Sequence, residues 1–102
     1  MAQLIWSDRS IKDLDGIAKY IARDSPKYAR LTLINIWNQA RRLINHPRLG
    51  RQVPEIGDEA IREILYGNYG IIYTIRNDDI HIITVHHSAR ILPGGHIEEW
   101  QE

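Results

Sequence analysis

Apolar residues recur along this chain with two different periods. Ile11, Leu14, Ile17, Ala18 and Ile21 return every three or four residues, with Lys12, Asp13, Asp15 and Lys19 between them. That spacing lines one face of a helix with apolar side chains and leaves the charges on the other. Ser7 offers an N-cap, and Asp8 suits the positive end of a helix dipole, so the pattern predicts a helix over 8–24. Gly16 inside it costs about 1 kcal/mol relative to alanine. Ser25-Pro26 restarts the pattern: serine caps, and proline suits the first helical position because its missing N–H would have no partner there. Ala29, Leu33, Ile36, Trp37, Ala40, Leu43 and Ile44 then form a second stripe, predicting a helix over 26–45 that ends before Pro47. With almost no linker between them, the two helices are expected to form an antiparallel hairpin.

The rest of the chain reads as strands. Gln3 to Trp6 is a short apolar run and a first strand. His46 to Gly57 holds Pro47, Gly50, Pro54 and Gly57 and reads as loop. Ala60–Tyr66, Tyr69–Arg76 and Ile80–His87 are strand-like runs separated by Gly67-Asn68 and by Asn77-Asp78-Asp79, so they should pair as an antiparallel meander. A polar tail opens at Pro93-Gly94-Gly95. The expected order is β-α-α-β-β-β, an α+β fold with the helical hairpin over one face of an antiparallel sheet and the first strand at an edge. The exposed edges of that four-stranded sheet would invite strand addition.

At 102 residues the sequence suits a single domain. Thirteen basic residues balance thirteen acidic ones, which excludes a generally basic nucleic-acid binder but leaves room for a local basic patch. Ten of the thirteen cations are arginine, favouring bidentate pairing over loose solvation. There is no cysteine, no long apolar run and no basic-then-apolar leader. These features lead us to expect a cytoplasmic protein without disulfides, membrane span or secretory signal.

Three groups of residues could carry chemistry. Arg41, Arg42, Arg48 and Arg51 lie within eleven residues with no acid among them, and Arg62 follows. They could hold phosphates or a carboxylate-rich partner, while Arg41 and Arg42 could equally serve the C-terminal end of the second helix. At the end of the last strand, Val85-His86-His87-Ser88-Ala89-Arg90 offers an imidazole near neutrality as acid or base, and an arginine able to neutralise a developing phosphorane. Alternation sends His86 and His87 to opposite faces, and no third ligand follows at a metal-site spacing, so neither a metal nor a cofactor is expected. Tyr69 and Tyr73 share a face, where they could stack on a base or pack against the helices. Glu98 and Glu99 read as solvated, and Trp100 either folds back on the sheet or joins an interface. Gly-rich phosphate loops, GxSxG elbows and HExxH helices are missing from the sequence.

The ordered set of motifs resembles the RelE/ParE superfamily of toxins from bacterial type II toxin–antitoxin systems, including the ParE-like plasmid stabilisation proteins. The matching stretches are Asp13-Leu14 with Ile17 and Tyr20-Ile21, then Asp24-Ser25-Pro26, Pro47, Gly50-Arg51, Val53-Pro54-Glu55 and Arg62-Glu63. Tyr69-Gly70-Ile71-Ile72-Tyr73 and Val85 through Leu92 complete the set, which spans roughly residues 3 to 92. The resemblance implies a growth-inhibiting protein neutralised by a cognate antitoxin that lies along the hairpin and sheet, with a dimer or a toxin–antitoxin hetero-oligomer possible. It also implies one of two actions. A ParE-like toxin binds and traps DNA gyrase without catalytic residues of its own. A RelE-like toxin cleaves mRNA on the ribosome, and His87, Arg90, Arg62 and Arg51 would then be its acid–base and charge-stabilising groups. Arg48, Arg51, Tyr69, Tyr73 and Trp100 are the expected contacts to target or antitoxin. Many relatives carry a basic residue where this chain has Gly70, and ribosome-directed toxins tend to be basic; both departures favour the gyrase-directed reading.

Overall fold

The computed structural model describes residues 2–54, 56–87, 91–92 and 96–97. Strand β1 (Leu4–Trp6) leads into helix α1 (Asp8–Ala22) and helix α2 (Pro26–Asn45), followed by strands β2 (Arg51–Gln52), β3 (Ile61–Tyr66), β4 (Tyr69–Arg76) and β5 (Asp79–His87). Two short strands, β6 (Ile91–Leu92) and β7 (His96–Ile97), pair with each other. The main sheet has the order β1-β5-β4-β3-β2. It is antiparallel except at the edge, where β1 runs parallel to β5. The α+β order is therefore the one the sequence predicts, and β1 does lie at an edge. The sheet has five strands rather than four, because two residues of the expected loop pair with β3.

Local chemistry accounts for the boundaries. Ser7 caps α1 by accepting from the Ser10 N–H at 3.0 Å, and Ser25 caps α2 by accepting from the Tyr28 N–H at 3.1 Å. Pro26 stands at the first helical position. The β4–β5 turn places both Asn77 (φ 53°) and Asp78 (φ 69°) in the left-handed region, the geometry that matches the twist of two-residue hairpins.

The core lies between the helical hairpin and the sheet. Ile36, Ala40 and Leu43 of α2 meet Ile64, Ile71, Tyr73, Ile80, Ile82 and Val85, with Leu14 and Ile17 of α1 partly buried against them. Not every stripe residue points inward. Ile11 is exposed, and Trp37 remains 47% exposed while its ring stacks on Trp6 at 5.5 Å and 7°. Asp13, expected on the solvent side, turns instead to the β4–β5 irregularity beside Ile72 and Tyr73. Its carboxylate accepts the Thr84 hydroxyl and, at 3.0 Å, the Val85 N–H. Ser7 adds a second pin by donating its hydroxyl to the Ile83 carbonyl at 2.7 Å. These bonds tie the start of α1 to β5 just past the last residue paired with β1 and satisfy polar groups there.

The sheet face away from the helices is not simply solvated. Glu63, Ile72, Thr74 and His86 are all buried there. The unbroken run Ile71-Ile72-Tyr73 fits this, since a central strand buried on both faces loses the alternation of a half-exposed one.

Candidate functional site

The arginine-bearing loop is built on one phenol. Tyr73 is fully buried, and its hydroxyl donates to the Pro47 carbonyl at 2.6 Å while accepting the Gly50 N–H at 2.8 Å. Burial pushes its pKa up, against the opposing effects of the Gly50 N–H and Arg62, so it stays a protonated donor. Arg62 adds a third tie, donating to the Gly50 carbonyl at 2.7 Å. Any β-carbon on residue 50 would lie 2.6 Å from the Tyr73 ring and 2.8 Å from the Glu63 carbonyl, so only glycine fits there. The loop then delivers Arg48 to solvent and Arg51 to the sheet edge.

Arg51 and Glu63 face each other in the β2–β3 register. The Arg51 guanidinium donates to Glu63 Oε1 at 3.0 Å, and Glu63 Oε2 lies 2.7 Å from His86 Nε2. The side chains of Glu63 and His86 are 3% and 1% exposed, whereas that of Arg51 is 54% exposed. Burial alone would raise the Glu63 carboxyl, but hydrogen bonds and charge from His86 and Arg51 outweigh it and hold the carboxyl below its ordinary value. The Glu63–His86 bond passes directly over Gly70, the residue paired with His86 across β4 and β5. A β-carbon on Gly70 would collide with Glu63 Oε2 and come 2.5 Å from His86 Nε2. Absence of a basic side chain at position 70 is thus a steric consequence of this pair.

His87 lies on the helix-facing side, opposite Tyr69 in the register. The two rings meet edge-on at 5.1 Å and 85°. Burial raises the Tyr69 phenol, and the nearby Tyr28 and Tyr20 add to the effect, so its proton is held rather than released. Asn35 donates to the neighbouring Tyr66 hydroxyl at 2.8 Å. This end of the molecule is an aromatic cluster joining the hairpin tip to the sheet.

The described members of the proposed acid–base constellation, Arg51, Arg62 and His87, are therefore dispersed. Arg62 and His87 share a face but stand two strands apart and four residues along, which is about 16 Å at ordinary sheet spacings. Arg51 belongs to the opposite face and is committed to Glu63. Tyr73 is a loop anchor with no accessible surface, so it cannot itself touch a partner. Arg48 and Arg51 are exposed and Tyr69 half-exposed. Arg90 and Trp100 lie outside the described residues. The sequence reading missed Glu63 and His86 as a pair. A lone buried glutamate in β3 and a histidine on a strand give no sign of each other until the register brings them together. Among the described residues no group of three His, Cys, Asp or Glu side chains is gathered to hold a metal, and no helix is long and apolar enough to cross a membrane.

Comparison with known proteins agrees with this architecture. The family model for the ParE toxin of type II toxin-antitoxin system, parDE, matches residues 4–92. A relative from Caulobacter vibrioides named Toxin RelE2 is 30% identical over 92 residues, covering 89% of this chain and all of the relative. A solved structure titled chromosomal ParDE TA system from P. aeruginosa superposes with a TM-score of 0.71 at 20% identity, covering 85% of this chain and 96% of that one, and shows the shared fold. With the family match running from β1 through β6, this chain belongs to the ParE toxins of type II toxin–antitoxin systems, within the RelE/ParE superfamily.

Proposed function

We propose that this toxin acts by binding its target, in the ParE manner on DNA gyrase, and is neutralised by a cognate antitoxin. The observation that carries this reading is the dispersal of the described acid–base residues, Arg51, Arg62 and His87. Cleavage of RNA needs a base, an acid and a charge-stabilising cation converging on one phosphate. Here His87 is seated on Tyr69, Arg62 is tied to the Gly50 carbonyl about 16 Å away, and Arg51 lies across the sheet. Binding asks only for a fixed surface. The 46–52 loop supplies one, with Arg48 and Arg51 exposed on a backbone held by Tyr73 and Arg62. We assign those two arginines to target contact. The hairpin offers a separate apolar surface for the antitoxin, with Tyr28, Leu31 and Ile34 exposed on α2.

The RelE-like alternative is supported by the name of the Caulobacter relative. The two readings separate with purified toxin assayed side by side for inhibition of gyrase supercoiling and of cell-free translation. Gyrase inhibition with translation intact is the expected result, accompanied by filamentation and DNA damage on induction in cells. Rapid loss of protein synthesis with cleaved transcripts, abolished by His87→Ala, would overturn it in favour of ribosome-dependent cleavage.

A further inference from the structure

We propose that the buried Glu63–His86 pair, seated in the space left open by Gly70, is a positioning element that aims the Arg51 guanidinium at the toxin's target. The inference rests on the reading that Arg51 contacts the target, whichever target that is. Three features support it.

First, Arg51 begins a two-residue strand at the sheet margin, with its side chain more than half exposed. An arginine in such a place ordinarily samples many rotamers, and holding it in one carries an entropy cost. Here the guanidinium is held by a carboxylate that is itself immobile, because Glu63 is buried and its two oxygens are divided between Arg51 and His86. Second, neither Glu63 nor His86 can reach a ligand, since both side chains are almost wholly enclosed. Whatever they contribute to action must pass through the group they hold, and Arg51 is the exposed member of the chain of contacts. Third, the site has been cleared for the pair. Glu63 reaches diagonally from its own register position opposite Ile72 to meet His86, and the path crosses the backbone of Gly70 where any side chain would block it. A buried carboxylate with one partner removed becomes strongly unfavourable, so the two contacts stand or fall together and the geometry at Arg51 has little freedom.

The test uses purified full-length toxin in whichever of the two assays registers wild-type inhibition, with thermal melting and antitoxin binding measured in parallel. Arg51→Ala is expected to weaken inhibition about ten-fold or more while leaving antitoxin binding intact. Glu63→Gln, which keeps the volume but removes the charge, is expected to weaken it to a similar degree. The double variant is expected to be no weaker than Arg51→Ala alone, because a positioning group has nothing left to act through. Gly70→Ala, which wedges the same pair from β4, should reproduce the Glu63→Gln loss and provides a second route if one variant is poorly folded. His86→Gln, which retains a donor toward Glu63, should keep much of the inhibition that Glu63→Gln loses. Full activity of Arg51→Ala would overturn the target-contact reading itself. Loss in Arg51→Ala with full activity in both Glu63→Gln and Gly70→Ala would overturn the positioning role alone. So would a double variant weaker than either single one, since Glu63 would then act independently of Arg51.

Discussion

Replacing Tyr73 by phenylalanine removes one oxygen atom and leaves the ring that fills the core. That makes it a clean probe of the hydroxyl's two contacts. In the native protein the hydroxyl donates to the Pro47 carbonyl and accepts the Gly50 N–H, at 2.6 and 2.8 Å. Phenylalanine leaves both backbone groups without that partner. Gly50 is buried, so its N–H loses water as well as phenol; Pro47 is half-buried, so its carbonyl recovers part of its solvation. A desolvated, unpaired polar group costs about 1–3 kcal/mol, so the sum should be about 2–4 kcal/mol once solvent relief at Pro47 is included. For a domain of this size each kcal/mol shifts the melting temperature by about 4–8 °C, so a fall of about 8–32 °C is expected. Urea unfolding should show the lower midpoint with an unchanged m-value, because the same surface is exposed on unfolding. Hydrogen exchange at the Gly50 amide should accelerate more than exchange in the centre of α2, because the 46–52 loop loses its anchor while the helix does not. A stability loss below about 0.5 kcal/mol, with Gly50 protection unchanged, would refute the reasoning that the phenol organises the loop.

Other expectations follow from the same structure. Asp13→Ala strips partners from Thr84 and the Val85 N–H at the bulge and should cost about 2–3 kcal/mol; an unshifted thermal melt would show that the α1–β5 pin is dispensable. Glu63 titrates below its ordinary value in the folded state, so its contribution to stability is present above the unfolded carboxyl's pKa of 4.5 and disappears as pH falls through the lower folded value. Glu63→Gln should accordingly flatten the acid limb of a stability–pH curve between those two values, and an acid limb identical to wild type would contradict this. Asp78→Gly relieves a non-glycine residue at φ 69° and should raise stability by about 0.5 kcal/mol in denaturant titrations, whereas a clear loss would mean the side chain contributes more than its backbone strain. Ser25→Ala removes the α2 cap and should cost about 1 kcal/mol, readable as a lower melting temperature.

The sequence alone determined the elements and their order. Ser7, Ser25 and Pro26 mark the helix starts through bonds made within four residues, and Tyr69–Arg76 reads as a strand to its last residue because its turns carry their own signals. The toxin family was legible in the same way, as short motifs in a fixed order. The tertiary structure decided everything that depends on register between distant strands. Alternation put His86 and His87 on opposite faces, but it took the pairing of β3, β4 and β5 to bring His86 to Glu63, over Gly70, and thence to Arg51. Asp13 looked like a solvent-facing helix charge until the fold set two β5 donors beside it. Local bonds can be read from neighbouring letters because backbone geometry fixes their reach. A buried hydrogen-bonded pair joins positions more than twenty residues apart, and its partners are chosen by how the sheet closes, which no short window of sequence encodes.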